Sequence, residues 1–187
     1  MNFMTYMRSA FITGVLTLSL TSNANALCGD SASLIDLACQ RVSETWAKGS
    51  SDLYLPFHTY HLRSAYSEEQ IDSYREDTWG LGYGRSRYVD GNWDGVYGMA
   101  FLDSNNNLEP IIGYAHQWMW GDQESLHAGL GYTAFITARS DSSHYVPLPG
   151  VLPIASVNYD KASVNATFVP GTKGNNNVFF FWSRFNF

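Results

Sequence analysis

Phe179-Phe180-Phe181-Trp182-Ser183-Arg184-Phe185-Asn186-Phe187 ends the chain, and its two parities differ in chemistry. Side chains of a strand alternate between faces, so Phe179, Phe181, Ser183, Phe185 and Phe187 share one side. Phe180, Trp182, Arg184 and Asn186 share the other. An aromatic face backed by one that takes up Arg and Asn matches the division between lipid and lumen in a transmembrane β-barrel strand. A final strand ending in Phe also looks like the signal read by bacterial outer-membrane assembly machinery.

The other end of the chain agrees with this location. Residues 1–26 read as a secretory signal, with Arg8 as the positive region, an apolar run from Ala10 to Leu20, and a small-residue cleavage site at Ala24-Asn25-Ala26. That run is shorter than the roughly 20 apolar residues a spanning helix needs. No later segment reads as a transmembrane helix, yet aromatic residues make up 16% of the chain. Export, many aromatics and no long apolar run together favour a small barrel. The formal net charge is −6, and without basic runs it gives no support to nucleic-acid binding. Cys28 and Cys39 meet an oxidising compartment. A bond between them requires Cys28 to lie before any helix and fold back, and the pairing stays open at this stage.

Residues 27–49 form the next unit. Leu34, Leu37, Ala38, Val42, Thr45 and Trp46 recur at helical spacing, and Gly49 ends the run. The expectation is an amphipathic helix at the periplasmic membrane interface, with a helix covering the barrel mouth as the alternative. Residues 50–187 form the barrel. Eight strand-like stretches fall near 53–65, 79–89, 93–103, 110–120, 125–138, 148–159, 163–170 and 178–187. Short turns alternate with longer polar loops at 66–78, 104–109, 139–147 and 171–177. The fold class expected is all-β: an eight-stranded antiparallel transmembrane barrel preceded by an α-helix.

Two strands sharpen the sidedness. In 110–120, Ile112, Tyr114, His116, Trp118 and Trp120 suit a lipid face, opposite Ile111, Gly113, Ala115, Gln117 and Met119. In 125–138, Leu126, Ala128, Leu130, Tyr132, Ala134 and Ile136 oppose His127, Gly129, Gly131, Thr133, Phe135 and Thr137. Small residues on the inner parity predict an internal cavity, unless the glycines only relieve sheet curvature. His58, His116, His127 and His144 lack the spacing of a metal cluster and are expected in interfacial or satisfied polar roles. No metal or other cofactor is expected.

The chemistry gathers at one rim. His61 near the end of the first strand and Asp103-Ser104 at the end of the third reach the same side of the barrel, which is extracellular if the first strand leaves the periplasm. A hydroxyl, a base and an acid are the side chains that acyl transfer uses. Adjacent residues of a regular strand point oppositely, so Asp103 and Ser104 must sit where the strand breaks, and Asn105-Asn106-Asn107 supplies that break.

Tyr54-Leu55-Pro56, Thr59-Tyr60-His61-Leu62-Arg63, Gly91-Asn92-Trp93, Met99-Ala100-Phe101-Leu102-Asp103-Ser104, Glu109-Pro110-Ile111 and Gly113-Tyr114 resemble the lipid A palmitoyltransferases, the PagP family. So do Pro147-Leu148-Pro149, Leu152 to Val157, Val169-Pro170-Gly171-Thr172 and Arg184-Phe185-Asn186-Phe187. The likeness runs in order from about Trp46 to Phe187. It implies an outer-membrane enzyme that moves a palmitoyl chain from the sn-1 position of a glycerophospholipid donor to a lipid A acceptor, with no cofactor. His61, Asp103 and Ser104 match the family's essential extracellular polar residues. The expectation is that His61 acts as general base while Ser104 and Asp103 position or activate the reacting groups. Ala115 matches the floor of an internal acyl-chain ruler where the familiar residue is Gly, which implies a chain no longer than palmitate. Pro56, Pro153 and Pro170 match positions where weakened strand pairing gives lipids lateral access. A further familiar Pro is here Thr78. Arg139 matches a structural loop or rim charge. A monomer is expected. Rival readings are a non-catalytic structural or adhesive barrel, and a phospholipid hydrolase with water as acceptor.

Overall fold

The computed structural model describes residues 28–29, 33–140 and 145–187; the expected signal segment 1–26 and His144 lie outside the described residues. Ser33 starts the first helix, α1 (Leu34–Lys48), by accepting the Asp36 N–H on its side chain, and Gly49 ends it by donating to the Thr45 carbonyl. Cys28 lies before this helix and folds back to form a disulfide with Cys39, with 5.7 Å between their Cα atoms. The pairing that the spacing left open is therefore made.

Among the described residues eight strands follow, β1 (Ser50–His61), β2 (Gly80–Val89), β3 (Asn92–Leu102), β4 (Leu108–Trp120), β5 (His127–Thr137), β6 (Leu148–Tyr159), β7 (Ala162–Val169) and β8 (Val178–Asn186). Each pairs antiparallel with its neighbour, and β8 returns to β1, so the sheet closes. Closure removes the edges that an open sheet would expose. Tight turns lie at the α1 end; Asp90 and Gly91 both take positive φ (51° and 80°), as a two-residue hairpin turn requires. Long loops lie at the other end. The first strand runs 50–61 rather than 53–65, because β8 starts at Val178 and offers His61 its last partner. The first long loop, expected to be without regular structure, also holds a short helix, α2 (Glu68–Ser73), started by a capping box of Ser67 and Gln70.

The expected sidedness holds. Ile112, Trp118, Leu130 and Ile136 are exposed on the outer wall, while Trp182, Arg184, Thr133 and Thr137 are buried within. His116 and Tyr114 face outward but do not meet lipid as expected. His116 Nδ1 bonds Asp94 Oδ1 at 2.7 Å and the Tyr114 hydroxyl donates to the same oxygen at 2.6 Å. Helix α1 packs on β2 and β3 over this cluster, with Arg41 3.5 Å from Asp94 and Arg87 2.8 Å from Glu44. Its polar side thus docks on the barrel wall, and Leu34, Ile35 and Leu37 are left exposed. The helix lies against the wall, not across the mouth. Asp94→Ala strips three side chains of their shared acceptor, at about 1.5–3 kcal/mol for bonds to a charged group. The expected result is faster amide exchange across α1 with the barrel strands still protected.

The interior divides in two. Toward the α1 end, Arg184 donates to Asp52 (3.0 Å), Ser163 (3.2 Å) and Asn158 (3.4 Å) and stacks over Trp93, while Ser156 donates to Gln117 (2.9 Å). This is a polar plug. Above it, an apolar cavity of about 230 Å³ opens to the loop end. The cavity was expected because of inner glycines, yet none of its described lining residues is glycine. A Cβ at Gly113 would lie 2.7 Å from the Tyr97 hydroxyl, and one at Gly95 only 2.3 Å from the Trp93 ring. Gly95 and Gly113 seat large inward side chains beside the plug; they do not create the space above it.

Candidate active site

Two loops meet over the cavity mouth. β3 ends at Leu102, and Asp103 turns the chain by accepting the N–H groups of Asn105 (2.9 Å) and Asn107 (2.8 Å) on Oδ1. Asn106 takes positive φ (64°) in this turn. As expected from the Asn run, the break lets Asp103 and Ser104 face the same space, and both line the cavity with His61. The first long loop is tied to this turn. Arg75 donates its N–H to the Ser104 carbonyl (2.9 Å) and its guanidinium to Asn106 Oδ1 (2.9 Å).

His61 is 4% exposed. Its ring stacks on Tyr74 with centroids 4.8 Å apart, and Tyr66 meets it edge-on at 5.1 Å. Nδ1 lies 3.2 Å from Glu76 Oε1, and the His61 N–H donates to that same oxygen at 3.0 Å. Arg63 grips Glu76 with two bonds of 2.8 Å. That grip, with the bonds from His61, draws the Glu76 carboxyl down to about 2 against the desolvation that opposes it. Asp103, expected to stand with His61 and Ser104, shares the cavity with them, but its Oδ1 is spent on its own turn. Its Oδ2 is buried and finds no partner among the described residues. A buried acceptor without a donor is costly unless something outside the protein supplies one.

The register fixes how deep the cavity reaches. Its deepest lining residues on β3, β5 and β8 are Tyr97, Thr133 and Trp182. The Tyr97 hydroxyl and Thr133 Oγ1 are 2.7 Å apart, and the Tyr97 ring lies across Gly113. Ala115 pairs with Thr133 and is buried in the cluster with Tyr97, Met99 and Trp182, below this floor. It does not line the cavity.

Pairing fails at two places on the loop half of the wall. β1 pairs with β2 only from Ser50 to Tyr54, and the strand continues past Pro56 with a register shift against β8. β6 pairs with β7 only from Ile154 onward, so Pro153 marks the edge of a second gap, with Pro170 just past the end of β7. Thr78 partly fills the first gap. Its hydroxyl lies 2.8 Å from that of Thr59, whose N–H donates to the Glu76 carbonyl at 2.8 Å.

Other polar residues have local tasks. His127 is satisfied by Tyr88 (3.1 Å) and the Ser125 carbonyl (2.9 Å), and His116 by Asp94, as their polar role was expected. Arg139 stands at the cavity rim, 3.8 Å from Glu109. Sequence reading missed Glu76, Tyr74, Tyr97 and Thr133. Alternation in 125–138 placed Thr133 on the inner face, but nothing local marked Glu76.

The family model for the "Antimicrobial peptide resistance and lipid A acylation protein PagP" matches residues 41–184. A protein named lipid A acyltransferase PagP from Methylobacillus flagellatus is 55% identical over 179 residues, covering 93% of this chain and 97% of that one. One of the same name from Bordetella parapertussis is 46% identical, with 86% and 88% covered. The lipid A palmitoyltransferase PagP of an Escherichia coli strain is 47% identical, with 79% and 81% covered. A closed eight-stranded barrel, a cavity crowned by His61, Asp103 and Ser104, and relatives matched along nearly their whole length lead to one assignment: the chain belongs to the PagP family.

Proposed function

We propose that this outer-membrane barrel transfers a palmitoyl or slightly shorter acyl chain from the sn-1 position of a glycerophospholipid to a hydroxyl of lipid A. The observation that carries this reading is an apolar cavity, closed below by Tyr97 and Thr133, whose mouth holds His61, Asp103 and Ser104. A saturated chain laid in the cavity brings its ester to that rim. His61 takes the proton of the attacking hydroxyl; the new ester C–O bond forms as the sn-1 C–O bond breaks. The same proton then goes to the departing lysophospholipid oxygen. Asp103 Oδ2, buried and with no donor among the described residues, suits the acceptor hydroxyl, and Ser104 positions or activates the reacting groups. Lipids reach the rim through the wall at Pro56 and at Pro153 and Pro170, where strand pairing is incomplete. The enzyme works as a monomer after removal of residues 1–26, with its C-terminal strand presented to the assembly machinery.

Mass spectrometry of lipid A from cells with and without the protein tests this. A single added acyl group that disappears in Ser104→Ala is expected; no added group, or free fatty acid alone, would replace the reading with a structural barrel or a hydrolase. The added mass also reports the floor. Ala115 sits beside Thr133 beneath Tyr97, so Ala115→Gly lets the floor sink and shifts the preferred chain longer by about one methylene, a contact worth about 0.8 kcal/mol. An unchanged chain length in this variant would remove Ala115 from the ruler.

A further inference from the structure

Glu76 makes more contacts to His61 than Asp103 or Ser104 is seen to make, and no role has so far been given to it. Oε1 receives the His61 N–H, faces Nδ1 of the same ring, and shares Arg63 with Oε2. A carboxylate only accepts, so the ring nitrogen facing it must carry hydrogen. Nδ1 is then the N–H of neutral His61, and Nε2 keeps the lone pair. The stack on Tyr74 and the edge of Tyr66 hold the ring from other sides. The Tyr66 hydroxyl is itself anchored on the Asn176 carbonyl, so the clamp reaches the last long loop.

We propose that Glu76, fixed by Arg63, is the positioning residue that sets the tautomer and orientation of His61, so that Nε2 is the base presented to the acceptor hydroxyl. Asp103 does not hold the base; it shapes the turn that carries Ser104 and offers its free Oδ2 to substrate. The inference rests on the reading of His61 as general base. The ionisation of Glu76 supports it. Its folded value is depressed, so its bonds are fully formed above the ordinary Glu range and are lost only as pH falls through about 2. At any working pH the group is an acceptor.

The segment that carries Glu76 is placed by the first gap in the wall. Residues 76–78 lie where β2 no longer pairs with β1, and Thr59 bonds both the Glu76 carbonyl and the Thr78 hydroxyl. Incomplete pairing at Pro56 therefore makes room for the segment that aims the base.

The test uses the full barrel refolded in detergent with phospholipid donor, in Glu76→Leu, Glu76→Gln and His61→Ala. Leu cannot accept from Nδ1, and kcat is expected to fall on the order of 10²-fold with donor KM within about threefold. Gln keeps an oxygen where three donors converge, so it should preserve the tautomer and stay within about tenfold of wild type. Nitrogen-15 signals of the His61 ring should report Nδ1–H in wild type and Glu76→Gln, and a shift toward Nε2–H in Glu76→Leu. Wild-type kcat or an unchanged ring signal in Glu76→Leu overturns the proposal. So does a loss confined to KM, or Glu76→Gln losing as much as His61→Ala; the isosteric variant also serves if Leu prevents folding. Retained transfer in His61→Ala would overturn the base reading instead, and the ring signal would still show whether Glu76 sets the tautomer.

Discussion

His61→Ala should lower acyl transfer by roughly 10²–10⁴-fold, the usual contribution of a positioned general base, while the barrel remains folded. His61 is the last residue of β1, and its ring packs against Tyr74 and Tyr66 of the first long loop rather than within the strand ladder. Truncation removes the imidazole without touching the pairing of β1 with β8 below it. Transfer of a labelled acyl chain from phospholipid to lipid A gives the rate, and heat-modified gel migration reports the fold. Combining His61→Ala with Ser104→Ala should cost little more than the greater single loss, since groups that act as one unit are not additive. Two independent, multiplying losses would mean that the residues do not serve one step. Full activity in both single variants would remove the rim from catalysis.

The barrel was legible because its signal is local. Period-two alternation in 110–120 and 125–138 separates inner from outer residues without knowledge of any partner strand. The same rule misjudged what the inner residues do. Gly113 is small because Tyr97 of the paired strand β3 folds over it, and alternation within β4 cannot see that covering. His116 reads as an outward residue, and it is, yet it is buried with Asp94, which Arg41 of α1 reaches from outside. The candidate rim shows the same limit. His61, Asp103 and Ser104 could be placed on one rim from strand ends alone. Glu76 could not, because its bond to His61 spans 15 residues across a loop with its own helix. The disulfide fell between these cases: spacing stated the condition for it, and only the position of Cys28 before α1 met that condition.

Removing the charge at the centre of the plug should be the largest single loss of stability. Arg184 and Asp52 are 3.0 Å apart and nearly or fully buried, and Arg184 also joins Ser163, Asn158 and the face of Trp93. Among the described residues, Arg184→Leu leaves Asp52 with only the Asn186 amide as a side-chain donor. A buried carboxylate deprived of its cation typically costs about 3–5 kcal/mol, against near neutrality when both partners become apolar. Urea unfolding of the refolded barrel should show that loss for Arg184→Leu and a clear recovery in Asp52→Leu/Arg184→Leu; a single-variant loss below about 1 kcal/mol would mean the pair is not what holds the plug. The consequence reaches the chemistry. Trp182, two residues from Arg184, is part of the cavity floor, and Trp93 beneath it packs in the same cluster as Tyr97 and Ala115. A loosened plug lets these side chains shift, and a floor that shifts measures chain length poorly. Arg184→Leu should therefore attach a broader range of acyl lengths than wild type, even where enough folded protein survives to keep the total rate high.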